Sequence, residues 1–207
     1  MDITWHGNSC FTIKTKTATA VINPYKEDTG LKLPSVKGEL TIITGVSPGN
    51  DNAKAVSGET KVIDWPGEYE VAGLVLTAKK SPEGKGFFFT IAGDDTRICY
   101  MEDAGKEITD ELIESIGEVD VLIISVGGKG GAGSEMAHEI IEEVEPRCII
   151  PMNFSVPEAA RELTTADAFL KLVGATEVAP IAKFSIAGRS ALKQDQMECI
   201  VLEPQLG

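Results

Sequence analysis

The apolar pattern of this 207-residue chain changes character halfway along, and that change limits the folds open to it. Through the first hundred residues the apolar positions fall in short β-branched or aromatic runs. They lie at 3–5, 10–15, 19–22, 40–44, 61–64, 69–71, 74–78, 87–91 and 97–101. Turn formers separate them, notably Pro66-Gly67 and Ser81-Pro82-Glu83-Gly84-Lys85-Gly86, so a strand meander is expected, with one short helix at 51–56. The run at 40–44 is nearly continuous, as for a strand covered on both faces. Beyond it the spacing turns helical: Ile108, Leu112, Ile113 and Ile116 recur on one face and stop at Gly117. A buried strand follows at 119–126, then a helix from an N-cap at Ser134 to Val144. Strand 148–151 precedes helices at 157–163 and 166–173, the second closed by Gly174. Strands at 177–179, 182–184 and 197–202 end the chain. A meander followed by strand–helix units predicts sheets covered by helices in one domain, residues 1–207.

Charge and cysteine usage narrow the partners. Nineteen Lys and Arg against 32 Asp and Glu leave a net charge of −13. Such a surface repels phosphate backbones and anionic lipid, so neither nucleic acid nor membrane is an expected partner. No apolar run reaches the roughly 20 residues of a membrane-spanning helix. The opening Met1-Asp2-Ile3-Thr4-Trp5-His6 has no basic, apolar leader, and a cytoplasmic address is expected. Cys10, Cys99, Cys148 and Cys199 each sit in a strand-like run, with no CxxC pair, and read as buried reduced thiols.

Motifs that usually carry chemistry are incomplete. In the glycine-rich loop at 127–133, Lys129 comes too early for a phosphate-binding loop, and no acidic residue closes the next strand as dinucleotide binding requires. It reads as a flexible connector. Of two histidines, His6 ends a strand and His138 lies mid-helix among Glu135, Glu139, Glu142 and Glu143.

Five segments in order carry a family resemblance. They are Ile3-Thr4-Trp5-His6-Gly7-Asn8-Ser9-Cys10-Phe11, Val21-Ile22-Asn23-Pro24-Tyr25, Trp65-Pro66-Gly67-Glu68-Tyr69-Glu70-Val71, Cys99-Tyr100-Met101-Glu102-Asp103-Ala104-Gly105 and Ile149-Ile150-Pro151-Met152-Asn153-Phe154. Together they resemble the metallo-β-lactamase superfamily, in particular its small, single-domain, Zn-dependent-hydrolase-like branch. The resemblance implies a four-layer αββα sandwich with a metal cleft at one edge of the sheets. It also exposes departures. Where the family writes Thr-His-x-His-x-Asp-His, this chain has Thr44-Gly45-Val46-Ser47-Pro48-Gly49-Asn50. The family's final ligand histidine becomes Asn153, its early Gly-His becomes Gly7-Asn8, and the Asp before Pro24 becomes Asn23. No histidine lies at 79–83, and Asp103 alone keeps a metal-bridging position.

A zinc that activates water needs about three protein ligands, and a two-metal site needs a carboxylate bridging two such sets. The resemblance with these departures therefore implies no zinc cofactor. It implies a non-catalytic protein binding a small ligand or protein at Asn8, Ser47, Asn50, Asp103 and Asn153. A hydrolase rebuilt around Asp103, metal-free or with a hard cation, is the alternative, and a homo-oligomer suits either. The loops 45–50, 66–69, 79–86 and 127–133 are expected to rim the cleft. Trp65, Tyr69, Lys79, Lys80, Lys85 and Lys129 there favour a small anion or an acidic peptide.

Overall fold

A computed structural model describes residues 1–82, 85–103, 105–128, 133–157, 159–160 and 162–207. The meander begins with β1 (Asp2–Trp5), β2 (Phe11–Lys14), β3 (Thr19–Ile22), β4 (Val36–Lys37) and β5 (Leu40–Ile42). It continues through β6 (Val56–Ser57), β7 (Lys61–Ile63), β8 (Gly67–Val71), β9 (Leu74–Lys80), β10 (Phe87–Gly93) and β11 (Thr96–Met101). The strand–helix half holds α1 (Asp110–Ile116), β12 (Val121–Ser125), α2 (Ser134–Val144), β13 (Cys148–Met152), α3 (Asp167–Leu172), β14 (Phe184–Ser185) and β15 (Glu198–Cys199). A six-stranded sheet has the order β14-β1-β2-β3-β5-β7, and a seven-stranded sheet the order β15-β13-β12-β11-β10-β9-β8.

Strand alternation sorts the side chains between two cores. Ile98 and Tyr100 of β11, Val121 and Ile123 of β12, and Ile150 and Met152 of β13 face the six-stranded sheet, meeting Trp5, Phe11, Ile13, Ile22 and Leu40. Their alternates Cys99, Met101, Leu122, Ile124 and Ile149 face outward and are buried by Leu112 and Ile116 of α1, Ile140 and Ile141 of α2 and Phe169 of α3. The parallel strands β11, β12 and β13 are therefore apolar on both faces, as their near-continuous apolar sequences require. Over the six-stranded sheet lies the β4–β6 ribbon, whose Val36 and Val56 cover Val21. The architecture is the expected α/β sandwich, and this ribbon forms its thin outermost layer. Among the described residues no helix is long and apolar enough to cross a membrane.

Local departures from the sequence reading have physical causes. Helix α1 starts after Thr109, whose hydroxyl accepts the Leu112 amide at 3.2 Å. Ser134 is the first helical residue of α2 rather than its cap: Gly133 caps it, and the Ser134 hydroxyl donates to the Val126 carbonyl at 3.3 Å. At 157–163 the described residues form no helix: the Ala159 amide closes a single turn onto the Val156 carbonyl, and the Ala160 amide donates to the Thr29 carbonyl. Glu158 and Arg161 lie outside the described residues. The stretch 51–56 is a single 3₁₀ turn at Ala53–Ala55 leading into β6. Residues 177–179 form no strand: the Val178 amide closes a turn onto the Ala175 carbonyl. All four cysteines are free thiols, and burial pushes those of Cys99 and Cys148 up to about 12 and that of Cys199 to about 11.

Candidate functional site

The C-terminal ends of β1, β3, β5, β11 and β13 converge at one edge of the two sheets, and their following residues form a polar cluster beneath the loops. Alternation along β11 decides what enters it. After Ile98 and Tyr100, the next inward position is Glu102, and Asp103 falls on the other parity. The Tyr100 ring stacks on Phe89 with centroids 5.0 Å apart and meets Phe11 edge-on at 6.0 Å, which fixes the strand end. Its hydroxyl donates to the Ser9 carbonyl at 2.6 Å. Burial, and secondarily the Glu102 carboxylate, hold that phenol well above its ordinary pKa.

Glu102 is completely buried. Its carboxylate accepts from Asn23 Nδ2 at 2.9 Å, from Thr44 Oγ1 at 2.8 Å, and from the Ser47 hydroxyl. Asn23 Oδ1 in turn accepts the Thr44 amide at 2.9 Å, so β3, β5 and β11 are tied through one side-chain network. Asn50 Nδ2 donates to the Ser9 hydroxyl, joining the loop after β5 to the loop after β1. The Asn8 carbonyl accepts from Trp5 Nε1 at 2.9 Å and from the Asn153 amide at 3.1 Å, and Asn153 Nδ2 donates to Ser125 Oγ at 3.3 Å.

Two features mark the cluster as unusual. Asn8, Asn23 and Asn153 hold left-handed backbone angles, with φ of 48°, 47° and 58°. Asparagine tolerates that region better than most residues, and such angles concentrate at functional sites. Asn8 is also completely buried, yet among the described residues neither its Nδ2 nor its Oδ1 has a hydrogen-bond partner, and Asn50 Oδ1 has none either. Backbones also pack closely beside the cluster. A Cβ on Gly86 would stand 2.1 Å from the Thr44 carbonyl, and one on Gly127 would stand 1.9 Å from the Asn153 carbonyl.

Of the residues expected from sequence, Ser47 and Asn50 join the network, and Asn8 and Asn153 meet through their backbones. Asp103 stands apart: its Oδ1 accepts the Gly105 amide at 3.0 Å in a local turn. The carboxylate in the cluster is Glu102, and with Ser9, Thr44 and Tyr100 it was missing from the expected set. Strand parity from Tyr100 was the signal that could have found it. His6 turns its ring away, with Nε2 2.8 Å from Thr12 Oγ1 and Nδ1 3.0 Å from the Gln205 carbonyl, and burial lowers its pKa. His138 lies on α2, 3.7 Å from Glu142. The register of Gly67 with Ala78 and of Lys80 with Phe87 brings Trp65, Lys79 and Lys80 to the same end as the cluster. Lys129 lies outside the described residues.

The cluster does not fit the zinc of the family that the chain resembles. Zinc sites need about three imidazole, thiolate or carboxylate donors at 2.0–2.3 Å. Gly45, Ser47, Gly49, Asn50 and Asn153 offer none, and Glu102 is already engaged by three donors. Among the described residues no group of three or more His, Cys, Asp or Glu is placed to hold a metal.

A profile of the beta-lactamase superfamily domain matches residues 2–153. A UPF0173 protein of Pyrococcus abyssi is 24% identical over 177 residues, which is 74% of this chain and 83% of that protein. The crystal structure of a proposed Zn-dependent hydrolase of the metallo-beta-lactamase superfamily from Thermotoga maritima superposes with a TM-score of 0.80 at 26% identity. It covers 98% of this chain and 99% of its own. A metallo hydrolase from Ignicoccus hospitalis, at 14% identity and TM-score 0.62 over 89% of this chain and 98% of its own, shares the fold.

Proposed function

Starting from the fact that this chain belongs to the metallo-β-lactamase superfamily, we propose that it is a non-catalytic member that binds a small polar ligand in the Asn8–Asn50–Glu102 cluster. The observation that carries this reading is the unmet hydrogen-bonding capacity of the buried Asn8 and Asn50 amides. Each buried polar atom left without a partner costs about 1–3 kcal/mol. A ligand that accepts from Asn8 Nδ2 and donates to Asn8 Oδ1 or Asn50 Oδ1 recovers that cost. Small amides and alcohols have this donor-and-acceptor character. Loss of catalysis follows from donor chemistry: glycine, serine and asparagine at the family's ligand positions cannot hold a zinc that ionises water. A hydrolase built around Asp103 draws no support from the geometry, since that carboxylate serves a local turn.

The test is a titration of small amides, alcohols and amino acids followed by the side-chain amide NMR signals of Asn8 and Asn50. Binding should move both signals and vanish in Asn8→Ala. Ligands that bind the Asn8→Ala and Asn50→Ala proteins unchanged, or zinc-dependent hydrolysis of ester or lactam substrates, would overturn the reading.

A further inference from the structure

At the lateral edges beyond β5 and β9, the two sheets end side by side. Strand β7 closes the six-stranded sheet and β8 closes the seven-stranded one, and residues 64–66 join them. Among the described residues β8 has one sheet neighbour, β9, so its outer backbone edge is open. Open edges are normally blunted or covered, because they template pairing with another strand. This one is advertised instead. Trp65, at its head, is 67% exposed and Val62 beside it 44%. The Tyr69 hydroxyl holds the Trp65 carbonyl at 2.9 Å, and Lys61 Nζ lies 5.7 Å from the centre of the Tyr69 ring. Tyr69 and Val71 pack inward against the core, which leaves Glu68 and Glu70 exposed together on the outer face.

We propose that the free edge of β8, headed by Trp65, docks an extended basic segment of another protein by strand addition. Main-chain hydrogen bonds to the open edge supply affinity, and alternate side chains supply specificity. Charge chooses the occupant. A second copy of this chain fits badly, because antiparallel two-fold pairing about Tyr69 would set Glu68 of each copy against Glu70 of the other. Like charges directly opposite are destabilising. A segment with Lys or Arg at alternate positions instead pairs with Glu68 and Glu70, and a chain of net charge −13 speeds its encounter. Apolar residues between those positions would lie beside Tyr69, with one reaching Trp65.

Intrinsic fluorescence reads the contact. The protein has two tryptophans, and Trp5 is completely buried, so a change in the exposed fraction of the emission reports Trp65. The probe is a short synthetic peptide alternating Lys with Val, with an alternating Glu–Val peptide as its counterpart. The Lys–Val peptide should give a saturable blue shift, weakened about tenfold or more by Glu68→Lys with Glu70→Lys. Methylating the peptide's pairing-edge amides should abolish it. Equal binding of the Glu–Val peptide, indifference to the double charge reversal, or persistence after methylation would overturn strand addition of a basic segment. A blue shift that grows with protein concentration alone would assign the edge to a second copy and overturn the proposal too.

Discussion

Replacing Glu102 by alanine tests the central arrangement of the site. The carboxylate is fully buried and accepts from Asn23, Thr44 and Ser47. Hydrogen bonds to a charged group contribute about 1.5–3 kcal/mol each before other terms. Desolvating one carboxylate costs several kcal/mol and offsets much of that sum. What remains on deletion is the cost of the stranded donors. Asn23 Nδ2 keeps Thr44 Oγ1 at 2.9 Å and Tyr100 Oη at 3.1 Å, and the Thr44 hydroxyl keeps Asn23 Oδ1 at 3.2 Å. Partial rescue of this kind sets the expected net loss for Glu102→Ala at about 3 kcal/mol. Asp103→Ala removes one turn hydrogen bond from a half-buried residue and should cost less than about 1 kcal/mol. Glu102→Gln should fall between them, because the two hydroxyls can rotate to accept while the Asn23 amide cannot. Urea unfolding followed by circular dichroism gives all three values, with the slope checked for constancy. A larger loss for Asp103→Ala than for Glu102→Ala would refute the assignment of Glu102 to the cleft.

Three further outcomes follow from other parts of the structure. Protein purified without chelators should carry no stoichiometric zinc by mass-spectrometric metal analysis, and about one zinc per chain would show that the donor argument fails. Gly86→Ala should destabilise by roughly 3 kcal/mol or prevent folding, since its Cβ meets the Thr44 carbonyl at 2.1 Å and its φ is +68°; thermal melting that matches the unaltered protein would contradict that packing. Burial depresses the His6 pKa below its ordinary 6.5, so folding prefers the neutral ring. Its contribution is fully present above pH 6.5 and is lost as pH falls through the folded value; His6→Gln should flatten melting temperature against pH just below 6.5, and an unchanged profile would remove His6 as the cause.

How far the sequence reaches can be argued from particular residues. Strand and core were legible wherever the apolar run was nearly continuous, as in 97–101 and 119–126, because such a run marks a strand covered on both faces. Helix 157–163 was misread because propensity cannot see that the Ala160 amide is claimed by the Thr29 carbonyl, over a hundred residues away. The β4–β6 ribbon was invisible for a related reason: two-residue strands such as Val36-Lys37 carry no period, and pairing with Val56-Ser57 makes them. At the site, motif matching led to Asp103 and passed over Glu102, which the parity of the same strand turns inward.

The left-handed asparagines also bear on what this scaffold could become. Asparagine, aspartate and histidine are the side chains most at ease in that backbone region after glycine. At Asn8, Asn23 and Asn153 the main chain therefore already holds the shape that a histidine or an aspartate would adopt. Exchanging these residues changes the chemistry of the pocket while asking almost nothing of the loops that carry it. The fold keeps its backbone geometry and its side-chain chemistry in separate layers of the sequence, so the polar character of this edge can change by a few side-chain replacements without rebuilding the protein beneath.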